Sequence, residues 1–455
     1  MTYLINRKDI FYFCNMRKFF PILLLYLAPF YLYSQDVDSY FESGLAKMGV
    51  EDYAGAIQVF TKVIELDADE YNAYFNRGLS YFKVGNFAGE IVDFTTVIDF
   101  DAYNGEAFYN RGRARYNSNR YYGAISDFIQ SVKIAGKDSD AFYWTANAYY
   151  SVEDYTEAIN YFTKVIDLTN DHADAYFWRG RTYYTKSDYS KALADFNKYI
   201  ELKPHEIKGY YWRGNTNYDS GYNKEAITDY THAIFIDPTY VYAYYWRGNA
   251  YRADEDYENA IKDFSKTINL NPDHSDAYYY RGNTFSDMGD YVKAISDYTK
   301  DIALNPTRFN SFFNRANLHF SLDNDERAII DFTKCIELDP NYYMAYYYRA
   351  NTYYLLDYVD KAIFDFDKCL ELQPEFSIGY YWRAIAKYSN KDDQGALEDF
   401  TRCIELDSEN AKAYYYRGLC KFFLVDDAGA CSDWNIAAGF GNYDAKDKML
   451  ENCDL

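Results

Sequence analysis

Residues 241–274 read VYAYYWRGNAYRADEDYENAIKDFSKTINLNPDH. The same order of an aromatic pair, an arginine, a small residue, an alanine and an aspartate-aromatic pair returns every 34 residues, and Val241 is taken as place 1 of the seventh copy. The small residue at place 8 fixes the register, and it stands at Gly44, Gly78, Gly112, Ala146, Gly180, Gly214, Gly248, Gly282, Ala316, Ala350, Ala384 and Gly418. Twelve copies in one register are typical of a protein whose units stack on one another.

Each copy contains the pattern of two helices. The residues from Val241 to about Ala253 contain no proline, and apolar residues recur at helical spacing from Tyr257 to Ile268. The next turn lies at Asn271-Pro272, because proline disfavours the helical conformation in the residue before it. Neither helix can bury its apolar face alone, so each pair must pack on its neighbours.

The unit resembles the tetratricopeptide repeat, a helix-turn-helix of this length. The residues that carry the resemblance are Tyr244, Gly248, Tyr251, Ala260, Phe264 and Pro272. The resemblance covers residues 37–444 as twelve repeats. It implies an all-α fold, namely a right-handed superhelical α-solenoid. It also implies that the concave groove of the solenoid binds a peptide. A chain of 455 residues would ordinarily suggest about three globular domains, but the unbroken repeat predicts one elongated domain.

The first 34 residues lie outside the repeat and have the pattern of a secretory signal. Arg17-Lys18 precede an apolar run at residues 19–33, and Ser34 opens a polar region. The run is shorter than the roughly 20 residues that cross a bilayer, so we expect cleavage after Ser34 rather than a membrane anchor. Met16 directly precedes the basic pair and is a candidate for the true start. We therefore expect an exported protein, periplasmic or secreted, with membrane contact only through an uncleaved signal.

The composition excludes several classes of function. The net charge is −22, and without residues 1–34 the chain has 43 basic and 68 acidic residues, a net charge of −25. Nucleic acid is not expected as a partner, because phosphate binding needs a basic stripe. The five histidines include no pair at the spacing of a helical metal site, and the sequence has neither a glycine-rich phosphate loop nor a nucleophile elbow. We expect no enzymatic activity, no cofactor and no metal.

The first helix of each repeat has two faces. At about 100° per residue, places 4, 7, 8 and 11 point to neighbouring helices, and places 2, 6, 9 and 13 point to the expected groove. Places 4 and 5 are aromatic in all twelve repeats. Place 4 is assigned to packing, because aromatic residues at helical spacing are more often core than binding site, and place 5 is left open between packing and binding.

Place 6 holds tryptophan in four successive repeats and once more at Trp382, and place 9 is asparagine in six repeats. Tryptophan offers a large, rigid contact area, and an asparagine amide both donates to and accepts from a peptide backbone. The asparagines have an alternative role, which is only to cap or solvate the inner face. We predict that a partner segment contacts Trp144, Asn147, Trp178, Arg181, Trp212, Asn215, Trp246, Asn249 and Asn283.

These features favour a non-enzymatic scaffold that holds a segment of a protein or peptide partner in an aromatic and asparagine-lined groove. One alternative is a carbohydrate-binding protein in which the tryptophans stack on sugar rings. Another is an accessory subunit of an envelope complex. The sequence does not identify the partner, because repeats of this kind keep their fold while their ligands differ.

Place 7 is arginine and place 23 is aspartate in ten repeats, whereas the first and fourth repeats have neither residue. Because the two are kept or lost together, we predict a contact between the two helices of one repeat. Three such structural pairs are Arg77 with Asp93, Arg247 with Asp263 and Arg417 with Asp433.

Residues 445–455 are predicted to form a capping helix and tail. Cys431 stands where the other repeats have isoleucine or leucine, so packing alone does not explain it. It lies ten residues before the turn at Gly441, and Cys453 lies twelve residues after it, so a disulfide between them is predicted in an exported protein. Cys420 with Cys431 is the competing pair.

Overall fold

The computed structural model describes residues 36–453, and within that range the secondary structure is helical, without strands. The helices form two compact units, which meet in sequence between Tyr222 and Asn223. The repeat continues through this point without a break, so the sequence predicted one elongated domain and does not reveal the division. The predicted signal at residues 1–34 lies outside the described residues.

The first unit contains eleven described helices, α1 to α11, in which odd numbers are the first helices of repeats and even numbers are the second helices. Their bounds are residues 36–49, Tyr53–Leu66, Tyr71–Lys83, Phe87–Phe100, Gly105–Asn117, Tyr121–Ala135, Ser139–Ser151, Tyr155–Leu168, Ala173–Thr185, Tyr189–Leu202 and Ile207–Asp219. Within the unit, each helix packs on the helices before and after it in sequence.

The second unit contains fourteen described helices, α12 to α25. Their bounds are Asn223–Ile236, Val241–Ala253, Tyr257–Leu270, Ser275–Asp287, Tyr291–Leu304, Phe309–Ser321, Asp325–Leu338, Tyr343–Leu355, Val359–Leu372, Ser377–Ser389, Asp393–Leu406, Ala411–Phe423, Asp427–Gly439 and Tyr443–Asn452. Here too, contacts join sequence neighbours, which is the nearest-neighbour packing of a solenoid.

Two residues form the turn between the helices of a repeat, as the seventh repeat shows. At place 15 of the seventh repeat, Glu255 has φ of 61°, a left-handed conformation that ends α13. Asp256 then caps α14, since its carboxylate accepts a hydrogen bond from the backbone N–H of Asn259. A side-chain acceptor at this position satisfies one of the free N–H groups of the first helical turn.

The core of a repeat is a ring cluster between its two helices. Phe264, at place 24, is fully buried, and the ring of Tyr245, at place 5, lies 6.2 Å from it. A Cβ atom on Gly248 would lie 2.9 Å from the Phe264 ring, so place 8 has no room for a side chain larger than that of alanine. At place 5, which the sequence left open, Tyr245 therefore packs in the core of the seventh repeat.

The arginine at place 7 makes contacts within its own repeat and to the preceding one. Arg247 donates from Nε to Asp263 Oδ2 at 2.7 Å, from Nη2 to Asp263 Oδ1 at 2.8 Å, and from Nη1 to Thr231 Oγ1 of the preceding repeat at 2.9 Å. The structure brings together the same two places in the pairs Arg77–Asp93, Arg111–Asp127, Arg179–Asp195, Arg281–Asp297, Arg315–Asp331, Arg349–Asp365, Arg383–Asp399 and Arg417–Asp433. The contact to place 25 of the preceding repeat was not foreseen.

One buried carboxyl departs from the repeat pattern. Glu90 occupies place 20 of the second repeat, where the other eleven repeats have alanine. Its side chain is 1% exposed, and its Oε2 has no hydrogen-bond partner. Burial raises the pKa of Glu90 to about 8, although the positive charge of Arg113 opposes this effect.

The C-terminal helix α25 covers the last repeat. It begins at Tyr443, two residues earlier than predicted, because the side chain of Asn442 caps it by accepting from the N–H of Ala445. Trp434 is fully buried beneath it. A disulfide joins Cys431 to Cys453, with their Cα atoms 5.8 Å apart, and Cys420, the competing partner, is a buried free thiol.

Candidate functional site

Four tryptophans of place 6, Trp144, Trp178, Trp212 and Trp382, contact the tyrosines of place 12 in the preceding repeat. We call the surface formed by places 6, 9 and 12 of the first helices the ladder face. In the first unit the ring pairs, with centroid distances of 5.3, 5.4 and 5.5 Å, are Tyr116–Trp144, Tyr150–Trp178 and Tyr184–Trp212. All three tryptophans are partly buried, so each ring packs between repeats and still presents part of its surface to solvent. Trp246 lies in the second unit and is also partly buried, with its ring 5.3 Å from that of Tyr245.

Arg181 stacks between two of these tryptophans. Its guanidinium carbon lies 5.1 Å from the ring centroid of Trp178 and 4.2 Å from that of Trp212, which are cation–π distances. Arg113 holds place 9 two repeats earlier and lies 4.3 Å from the ring of Phe82 and 5.8 Å from that of Trp144. The sequence placed Arg181 among the predicted partner contacts but did not predict that it stacks between two rings. The signal that reveals this stack is an arginine at place 9 flanked by rings at place 6 of its own and the next repeat.

The asparagines of place 9 are mostly packed rather than open. Asn147 is 7% exposed and Asn249 is 6% exposed, and each donates from Nδ2 to the backbone carbonyl four residues earlier, at 2.8 and 2.9 Å. Asn215 is buried as well. The amides of Asn147 and Asn249 serve their own helices, which is the alternative role considered for the asparagines. Of the four asparagines predicted to contact a partner, only Asn283 is partly exposed.

Places 12 and 13 add polar links along the same surface. The hydroxyl of Tyr184 donates to the carboxylate of Asp219, and the hydroxyls of Tyr116 and Ser151 lie 3.3 Å apart. Burial and the bond to Asp219 raise the pKa of Tyr184, so this phenol stays protonated at neutral pH. The ladder face of the first unit is therefore held by ring contacts and hydrogen bonds between repeats.

The second unit has a cavity of about 430 Å³ on its ladder face. It lies where the aromatic pair is interrupted, since place 12 of the eighth repeat is Ser286 and place 6 of the ninth is Asn314. Its polar walls come from Arg252, Asn283, Ser286, Asp287, Tyr298, Asn314 and Asn317. Of these residues, sequence reasoning had selected Asn283 alone.

Models of known protein families match several segments of the chain. Models described as "Tetratricopeptide repeat" match residues 41–104, 143–207, 309–342 and 343–376, and a model described as "TPR repeat" matches residues 214–253 and 248–289. Together these segments cover more than half of the chain. The chain belongs to the tetratricopeptide repeat family. Tetratricopeptide repeat proteins are protein-interaction scaffolds.

Solved structures of such proteins resemble parts of this tetratricopeptide repeat protein. The crystal structure of MamA is 27% identical, covers 35% of this chain and 94% of its own, and has a TM-score of 0.35. YrrB, described as a TPR protein with an unusual peptide-binding site, is 21% identical, covers 40% and 95%, and has a TM-score of 0.37. The C-terminal part of a repeat protein from Cytophaga hutchinsonii is 21% identical, covers 60% and 98%, and has a TM-score of 0.42. The low scores carry no information on what this chain binds. The sequence has no significant match among curated proteins.

The tetratricopeptide repeats also account for two histidines. His172 and His274 occupy the residue before a first helix, and the Nδ1 atom of each accepts a backbone N–H, from Ala175 at 3.1 Å and Ala277 at 3.3 Å. Among residues 36–453, no three histidine, cysteine or acidic side chains are grouped as metal ligands. In the same range, no helix combines the length and the apolar character needed to span a bilayer.

Proposed function

We propose that this tetratricopeptide repeat protein is a non-enzymatic scaffold that binds a segment of a protein partner on its ladder face. The observation that carries the proposal is that Trp144, Trp178 and Trp212 stand partly exposed on three consecutive first helices of one unit, with Arg181 stacked between two of them. Binding energy at protein interfaces is concentrated in tryptophan, tyrosine and arginine. Rings already held by their neighbours lose little conformational freedom when a partner binds.

The geometry favours a protein segment over a sugar. Stacking of a sugar needs an open ring face, whereas the Arg181 guanidinium lies 4.2 Å from the Trp212 centroid and covers one side of that ring. A cation between two rings instead provides a charged donor beside apolar surface, which suits a peptide with both apolar and polar side chains.

The test of the proposal is a double substitution in the full chain, Trp178→Ala with Trp212→Ala. We expect proteins captured from an envelope extract to bind at least ten-fold more weakly to the variant, while its helical circular dichroism stays unchanged. The matched control is Trp382→Ala, which removes the same place 6 ring outside the row, and it should bind as the wild type does. Because truncation also removes ring contacts, Arg181→Ala provides a milder second variant. Unchanged capture by both variants contradicts the proposal, and so does a glycan array that is positive while no protein is captured.

The proposal includes export, as a freely secreted protein, a periplasmic protein or an accessory subunit of an envelope complex. The order of basic pair, apolar run and Ser34 supports it. The disulfide between Cys431 and Cys453 supports it independently, since disulfides persist in oxidising compartments. Cell fractionation with N-terminal sequencing tests it. The expected mature chain begins at Gln35 outside the cytoplasm, and a cytoplasmic chain that retains its first 34 residues would overturn export.

A further inference from the structure

We infer that the cavity on the ladder face of the second unit holds the side-chain amide of an asparagine or glutamine of the partner segment. This inference rests on the proposed function and specifies one residue type within the bound segment. The cavity lies between the first helices α13, α15 and α17, and α16 contributes Tyr298 to its wall.

The space arises from a local change in the repeat pattern. Where the aromatic pair is present in this unit, its rings occupy the place between successive first helices, as with Tyr354 and Trp382 at 6.3 Å and Phe320 and Tyr348 at 6.4 Å. Here the corresponding residues are Ser286 and Asn314, which are much smaller. The resulting 430 Å³ lies within the range of about 300 to 1,000 Å³ that is usual for ligand sites.

The wall contains a donor that the protein itself does not satisfy. Arg252 donates from Nη2 to Asp287 Oδ2 at 2.7 Å, but its Nε is buried and has no hydrogen-bond partner. Buried donors of native proteins are nearly always paired, so an unpaired one at a cavity points to an acceptor on a ligand. A carbonyl oxygen provides that acceptor.

The balance of charge selects a neutral ligand group. Arg252 and Asp287 form an ion pair, so this part of the wall carries no net charge. A carboxylate or an ammonium group would add a charge without a partner in a partly desolvated place, which is costly. A primary amide instead offers its oxygen to Arg252 and its two N–H groups to oxygens of Asp287 and Asn314, and it matches a wall that both donates and accepts.

The wall is also fixed before a ligand arrives. The Tyr298 hydroxyl donates to Asn283 Oδ1 at 2.8 Å, and Asn314 Nδ2 donates to the same oxygen at 3.2 Å. Tyr298 is fully buried at a place where most repeats have phenylalanine, and its hydroxyl serves this network. A network held in this way orients its amides at little further cost on binding.

The test uses a display library of random twelve-residue peptides selected on the full chain. We expect asparagine or glutamine to be enriched at one position, and replacement of that residue by glutamate, leucine or alanine to weaken binding of the peptide at least ten-fold. The protein variant is Ser286→Tyr with Asn314→Trp, which fills the cavity with the ring pair that this chain already has at Tyr184 and Trp212. It should remain folded by circular dichroism and lose the amide preference.

The outcomes separate the inference from the function it rests on. Enriched peptides with no amide position, or an amide preference that survives in the filled variant, overturn the inference and leave the scaffold function standing. If the library yields no binder and the envelope extract yields no captured protein, the proposed function fails and the inference fails with it.

Discussion

Removing the carboxyl of Glu90 should stabilise the first unit, and the gain should grow with pH. The group has a pKa of about 8 in the folded protein against 4.5 for an ordinary glutamate. Because the pKa of Glu90 is higher in the folded state than in the unfolded state, the stability that the neutral carboxyl contributes is fully present below about pH 4.5. This contribution is lost as the pH rises toward 8. Taken at face value, the difference costs roughly 5 kcal/mol above pH 8, at about 1.4 kcal/mol for each pH unit. Local relaxation and water entry screen the charge, so we expect about half of that, 2 to 3 kcal/mol.

Two substitutions separate charge from shape. Glu90→Gln keeps the volume and removes the charge, whereas Glu90→Ala restores the residue found at place 20 in the other eleven repeats. Both variants should exceed the wild type in unfolding free energy at pH 8.5 and approach it at pH 4.5. The exposed Glu106 on α5 provides the control, since Glu106→Ala should change stability by less than about 0.5 kcal/mol.

The measurement combines urea unfolding of the full chain with hydrogen exchange of α4 and α5, because a repeat protein unfolds in parts and exchange reports the local helix pair. Protection in α4 should fall from pH 5 to pH 8.5 in the wild type more than in either variant of Glu90. If the wild type and Glu90→Gln change in parallel over this range, the carboxyl is ionised or neutral throughout and the reasoning is refuted.

Three further predictions concern the stability of the repeats and of the C-terminal helix. Arg247→Ala should lower the unfolding free energy by about 3 to 5 kcal/mol, because it leaves the buried Asp263 without its cation. In a double-mutant cycle measured by urea unfolding, the variant with both Arg247→Ala and Asp263→Ala should recover part of this loss. Val425 is a β-branched residue with φ of 66° at an exposed turn. Val425→Gly should therefore raise the unfolding free energy by about 1 kcal/mol and the melting temperature with it. An unchanged melting temperature would show that the turn tolerates this conformation. Mass spectrometry of the unreduced protein should find the link between Cys431 and Cys453, and reduction should increase hydrogen exchange in α25, because the bridge closes a loop worth about 3 kcal/mol. Free thiols at both Cys431 and Cys453 would exclude the bridge.

The sequence predicted what depends on contacts within one repeat. The helix pair of the seventh repeat lies where the pattern indicates, from Val241 to Ala253 and from Tyr257 to Leu270, because periodicity, capping residues and proline all act locally. The contact between Arg247 and Asp263 was predictable for the same reason, since both residues are missing from the same two repeats.

The features that the sequence did not reveal are contacts between repeats and the burial of polar side chains. The hydroxyl of Thr231 that receives Arg247 belongs to the preceding repeat, and comparison within single repeats cannot find it. The helical angle predicted that Asn249 faces the groove, but it does not show that the amide bonds to its own backbone and is covered by neighbours. The cavity at Ser286 and Asn314 becomes visible only when place 12 of one repeat is read together with place 6 of the next.

The arginine contacts of the repeats also set the order in which the chain can become structured. Arg247, for example, binds Thr231 sixteen positions earlier and Asp263 sixteen positions later. When the chain is delivered N-terminus first, by a ribosome or by an export channel, a repeat can close these bonds once its own second helix has emerged. Short sequence separations of this kind favour fast folding and shorten the time for which apolar surface is exposed. The bond between Cys431 and Cys453 closes last and so marks the arrival of the C-terminal end.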